Sequence, residues 1–177
     1  QLTGQLKLNI AIVKRDKSKS KKGNYQQGAN NINLVTPTHF LPQIVIALQQ
    51  AKNQGLSIPI VYNTGSYESP EALRHLDGLV DIYLPDLKYF SPELSAAYSH
   101  APDYFEIACA AIAEMDPQVL DPVMDPDTGL MQRGMIVRHL LLPGQAKDSK
   151  KILRYLHETY GDHIYISIMN QYTPLPQ

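Results

Sequence analysis

The stretch VDIYLPDLK, residues 80–88, decides how this chain folds. Val80, Ile82, Tyr83, Leu84 and Leu87 form a near-continuous apolar run, and Asp86 and Lys88 close it. A strand solvated on one face alternates apolar and polar residues, whereas a strand covered on both faces does not. The run therefore reads as a strand inside a parallel sheet. Its two charges sit at the carboxyl end and share a parity, so both side chains point to one face.

Working outward, four further segments read the same way. On the amino-terminal side, IPIVYNTG (58–65) and NINLVTPTHF (31–40) are apolar runs that finish in Asn63-Thr64-Gly65 and in Thr36-Pro37-Thr38-His39. On the carboxyl-terminal side, MIVRHLLLP (135–143) contains Arg138 and His139, and HIYISIMNQY (163–172) ends in Asn170-Gln171-Tyr172. Helical patterns separate them. Pro42–Asn53 places Ile44, Val45, Leu48 and Ala51 on one face, with Gly55 as a left-handed cap. Ser69-Pro70-Glu71 and Ser91-Pro92-Glu93 each offer an N-cap, a first-turn proline and an acid near the positive helix end. Further helices are expected over about Asp103–Met115 and Asp148–Tyr160, the latter stopped by Gly161. VMDPDTGLMQRG (123–134) breaks the rhythm. Its Asp125-Pro126-Asp127-Thr128-Gly129 resembles part of a calcium loop, but a β-hairpin turn suits it better because the later acidic ligand is missing.

Strand and helix alternating in this way predict an α/β fold with parallel strands. Five strands are too few for a closed eight-stranded barrel, which leaves an open or partial (β/α) barrel or a doubly wound sheet. Composition agrees with one domain. The chain has 177 residues, 44% of them hydrophobic, and a net charge of −1. Nothing global points to nucleic acid, and no apolar run approaches the roughly 18 residues of a membrane span. A cytoplasmic protein fits this composition. The only cysteine is Cys109, which excludes an intramolecular disulfide or a multi-thiolate metal site built from these residues alone. KRDKSKSKK, residues 14–22, is a basic run read as a solvated segment. Residues 1–24 are a poorly specified amino-terminal segment in which LKLNIAIV (6–13) could add an edge strand.

Every predicted strand ends in hydrogen-bonding or titratable groups. Parallel α/β folds bind ligands there, because the loops converge beyond the strand ends. The candidate rim is thus Thr36, Thr38, His39, Asn63, Thr64, Gly65, Asp86, Lys88, Arg138, Asn170, Gln171 and Tyr172. Arg138 and His139 point to opposite faces of a regular strand, so at most one faces a ligand. A Schiff-base lyase with Lys88 as nucleophile is one chemistry such a rim could perform.

Six blocks carry a resemblance: GANNINLVTPTHFLPQI, PIVYNTGSYES, LDGLVDIYLPDLKYF, APDYFEIA, GMIVRHLLLPG and ISIMNQYTP. In order and spacing, residues 25–174 resemble the radical SAM proteins similar to pyruvate formate-lyase activating enzyme. The resemblance implies a partial (β/α) barrel that binds S-adenosylmethionine across its strand ends, and a [4Fe–4S] cluster that reduces it. It also implies a protein substrate of the glycyl-radical type. By the same resemblance, Thr36, Thr38 and His39 meet the methionine amino group, and Asn63-Thr64-Gly65 lies near its carboxylate. Asp86 and Lys88 form an Asp-x-Lys pair at the ligand and substrate, joined by Arg138 and by Asn170, Gln171 and Tyr172. The family's Cys-x₃-Cys-x₂-Cys motif has no counterpart in these residues. The expectation is therefore an amino-terminally incomplete or inactive form, or a non-catalytic binding module. An uncovered sheet edge, and self-association through it, would follow.

Overall fold

The computed structural model describes the backbone of residues 10–14 and residues 29–170. Gln171 and Tyr172 of the expected rim, and most of the basic run, lie outside the described residues. A seven-stranded sheet forms the centre of the molecule. Its elements follow one another as β1 (Ile10–Lys14), β2 (Ala29–Val35), α1 (Leu41–Asn53), β3 (Ile60–Thr64), α2 (Pro70–Leu73) and β4 (Ile82–Pro85). Then come α3 (Pro92–Ser99), α4 (Tyr104–Val119), β5 (Val123–Met124), β6 (Met131–Leu140), α5 (Ala146–Tyr160) and β7 (Tyr165–Met169).

Strands β2, β3, β4, β6 and β7 are mutually parallel neighbours in that order. These are the five strands expected from the sequence. Among the described residues this order does not reverse, and reversal is what marks the switch point of a doubly wound sheet. The expected edge strand is also present: β1 pairs antiparallel with β2 and covers that side of it. Segment 123–134 forms the expected hairpin. β5 runs antiparallel to the start of β6, and Asp125 Oδ1 accepts from the amides of Asp127 and Thr128 within the turn.

Residue parity divides the sheet into two faces. Leu34, Tyr62, Tyr83 and Met135 stand side by side in register, each essentially buried. They meet Leu41, Ile44 and Leu48 of α1, Ala111, Ile112 and Met115 of α4, and Ile152 and Leu156 of α5 in one hydrophobic core. Right-handed crossovers between neighbours added in one direction place every connecting helix on the same side. The other face carries Val61, Ile82, Leu84 and Ile136. With Asn30, Asn31, Leu130 and Met131 they line an apolar cleft of about 190 Å³.

Two local expectations are refined. Of the paired Ser-Pro-Glu signals, Ser91 caps α3 by accepting from the Leu94 amide at 3.3 Å, while Ser69 makes no side-chain cap at α2. Helix α4 continues past Met115 to Val119 with Pro117 inside it. No helix among the described residues is long and apolar enough to cross a membrane.

Candidate functional site

The regular pairing of β3 with β4 ends where the Asp86 amide donates to the Thr64 carbonyl at 2.9 Å. Beyond that point β4 leans towards β6: Asp86 bridges to Arg138, and the Leu87 amide donates to the Arg138 carbonyl. Asn63, Asp86 and Arg138 therefore emerge together on the face opposite the helices. Arg138 Nε donates to Asp86 Oδ1 at 2.8 Å, and its Nη2 donates to Asn63 Oδ1 at 2.7 Å. One guanidinium thus joins three strands. Lys88 follows from the shared parity: its Nζ lies 3.7 Å from Asp86 Oδ2.

That distance is an ion-pair contact, outside hydrogen-bond range. Among the described residues, Lys88 Nζ donates no hydrogen bond, and its side chain is 41% exposed. The group holds two cations and one carboxylate, so it is left with an uncommitted positive charge. Gly65 borders the same space: a Cβ built there would stand in ordinary contact, 3.5 Å from Lys88 Nζ. A cleft of about 150 Å³ opens alongside. Asp86, Lys88, Tyr89 and Arg138 form its polar wall, and Leu140, Leu142 and Met169 its apolar one. A small ligand with one anionic and one apolar end matches such a lining.

Five expected residues thus converge: Asn63, Gly65, Asp86, Lys88 and Arg138. The others are placed differently. Thr36 is exposed, with φ 50°, and its amide donates to the Asn63 carbonyl at 2.8 Å, so it extends the backbone ladder. Thr38 turns its hydroxyl to the phenol of Tyr62. His39 and Asn170 are exposed at the ends of their strands and make no hydrogen bond to the cluster among the described residues. Thr64 faces the helices: its hydroxyl donates to the buried carboxylate of Glu68, which also accepts from the Tyr62 hydroxyl at 2.8 Å. His139 is buried on that side as well. Its Nδ1 lies 2.8 Å from the Leu87 carbonyl, which leaves Arg138 alone on the cleft side.

Two residues that shape the site carried no sequence signal of their own. Asp148, at the start of α5, accepts from the amides of Phe90 and Ser91, both at 2.9 Å, and so fixes the loop that follows Lys88. Tyr104, the first residue of α4, reaches between the ends of β3 and β4. Burial raises its phenol far above the ordinary range, with the Lys88 amide pulling the other way, so it stays protonated. Cys109 is half-buried on α4, and burial raises its thiol. No group of three or more histidine, cysteine, aspartate or glutamate residues with metal-holding geometry occurs among the described residues.

The chain is 25% identical over 164 residues to an uncharacterized protein of Methanocaldococcus jannaschii. The alignment covers 92% of this chain and 41% of that protein, so these residues span well under half of the relative's length. No family model matches the chain. No solved structure matches it.

Proposed function

We propose that this chain is part of a radical SAM protein resembling the pyruvate formate-lyase activating enzymes, and that its strand-end rim binds S-adenosylmethionine. The observation that carries the reading is the Asn63–Arg138–Asp86 linkage with Lys88 beside it, at the carboxyl ends of adjacent parallel strands. A partial (β/α) barrel is part of the proposal. Its support is the non-reversing strand order, with an open inner face opposite the helices.

The donor set suits the methionine end of that ligand. Its carboxylate needs donors, which the uncommitted Lys88 ammonium supplies. Its ammonium needs an acceptor, which the Asp86 carboxylate supplies. The apolar wall of Leu140, Leu142 and Met169 offers a dry surface to the rest of the molecule. A [4Fe–4S] cluster does not fit these residues: the sequence holds one cysteine, on a helix in the hydrophobic layer. The part proposed for this chain is to bind and orient the sulfonium ligand beside a partner polypeptide of the glycyl-radical type.

Calorimetry with S-adenosylmethionine tests the proposal. Binding is expected for the chain, with a loss of about tenfold or more in Asp86→Asn and in Lys88→Met, because each removes a charged hydrogen-bonding group. Heat that is absent, or unchanged in both variants, would refute it. Anaerobic incubation with iron and sulfide is expected to give no cluster absorbance on these residues.

A further inference from the structure

Where β4 leaves β3 to join β6, three backbone groups lose their place in a ladder: the carbonyls of Gly65 and Asp86 and the amide of Lys88. One side chain occupies the gap. The Tyr104 hydroxyl lies 3.0 Å from the Gly65 carbonyl and 2.9 Å from the Asp86 carbonyl, and it accepts from the Lys88 amide at 3.2 Å. A phenol can donate one proton and accept others, so it serves both kinds of orphan at once. We propose that Tyr104 is the positioning residue of the site, and that its hydroxyl holds the split between β3 and β4 and thereby fixes the Asp86–Lys88 pair. This rests on the ligand reading above for its binding consequence, but its structural half stands without it.

The surroundings suit a fixed post. Tyr104 is 4% exposed, and its ring packs against two others. Tyr67 stacks on it at 6.3 Å between centroids and 5° between planes, while Tyr89, a wall of the cleft, meets it edge-on at 5.4 Å. Tyr67 is tied in turn to Asp103, its hydroxyl donating to Oδ1 at 2.9 Å. With the ring buried against these two neighbours, the hydroxyl has little freedom to follow the strands. The strands must follow it.

The test compares Tyr104→Phe with Tyr67→Phe in the full chain. The first removes only the hydroxyl at the split; the second removes a hydroxyl from the same stack that touches neither strand. Amide hydrogen exchange is read at Lys88, with Tyr62 and Tyr83 as core references. Tyr104→Phe is expected to speed exchange at Lys88 about tenfold, the scale of one hydrogen bond, and to leave the references unchanged. Affinity for S-adenosylmethionine is expected to fall about fivefold to tenfold, and this loss should shrink in a Lys88→Met background. Tyr67→Phe should do neither. Unchanged exchange at Lys88 would overturn the proposal. So would equal acceleration at Tyr62 and Tyr83, or an affinity loss of undiminished size without Lys88. If the unaltered chain binds no S-adenosylmethionine, the proposed function fails, and the exchange comparison alone decides the role of Tyr104.

Discussion

Arg138 shows what parity can and cannot reveal about a residue. Its position opposite His139 followed from strand alternation, and the structure separates the two as that alternation requires. Its reach to Asn63 did not follow, because the contact depends on β4 bending away after Pro85. Asp86 and Lys88 were legible as a same-face pair; that Asp86 Oδ1 is already taken by Arg138 was not. Removing the guanidinium leaves Asp86, whose side chain is 18% exposed, with only the more distant Lys88. Arg138→Met should therefore destabilise the fold by about 1–2 kcal/mol, less than a fully buried pair because water reaches the group. Urea unfolding measures it, and a midpoint shift within error would refute it. Thr64 is the clearest case of a residue placed on the wrong side by reading strand ends as a unit. Its hydroxyl serves the buried Glu68, since residues 63 and 64 must face opposite ways.

At the scale of elements, the sequence showed the strands more clearly than their joints. Apolar runs and helical periodicity marked five strands along the chain, while their order in the sheet and the contacts that set the loop after β4 depend on distant elements. Asp148 lies 57 residues from Ser91, and no local pattern marks it as the acceptor for two amides of that loop. It is 9% exposed, and losing it leaves two partly buried amide donors without this acceptor. Asp148→Ala should cost about 2 kcal/mol of stability, and Asp148→Asn, which keeps one acceptor, about half as much. Denaturant titration of both variants checks the ranking; equal losses would contradict the two-acceptor account. Gly134 explains another joint. Its φ of +136° and a notional Cβ 3.0 Å from the Pro122 backbone mark a position that β6 can take only with glycine.

For the molecule as a whole, the core is unusually phenolic, and this sets its response to alkali. Burial raises the phenols of Tyr62, Tyr83, Tyr104 and Tyr160, and it pushes Tyr155 up to about 12. Their ordinary value is about 10. A group with a raised folded pKa contributes stability that is fully present below the unfolded value and is lost as pH rises through the folded one. The unfolded chain binds fewer protons in that window, so stability should fall steeply above about pH 10. Phenolate absorbance is expected to appear together with the loss of far-ultraviolet dichroism. Phenolate formation with the dichroism intact would mean that these rings ionise without unfolding. The α/β class with a mostly parallel sheet was legible at this scale because it is written into alternating runs of strand and helix; the ring packing beneath it was not, since eleven tyrosines scattered along the chain carry no sign of which will meet.

The guanidinium that spans three strands also ties three positions to one another. Losing Asn63 would leave it the Asp86 carboxylate, whereas losing Asp86 would leave it only the Asn63 oxygen among these partners. Losing Arg138 would leave the Asp86 carboxylate to the more distant Lys88. Substitutions at the three positions should therefore combine non-additively.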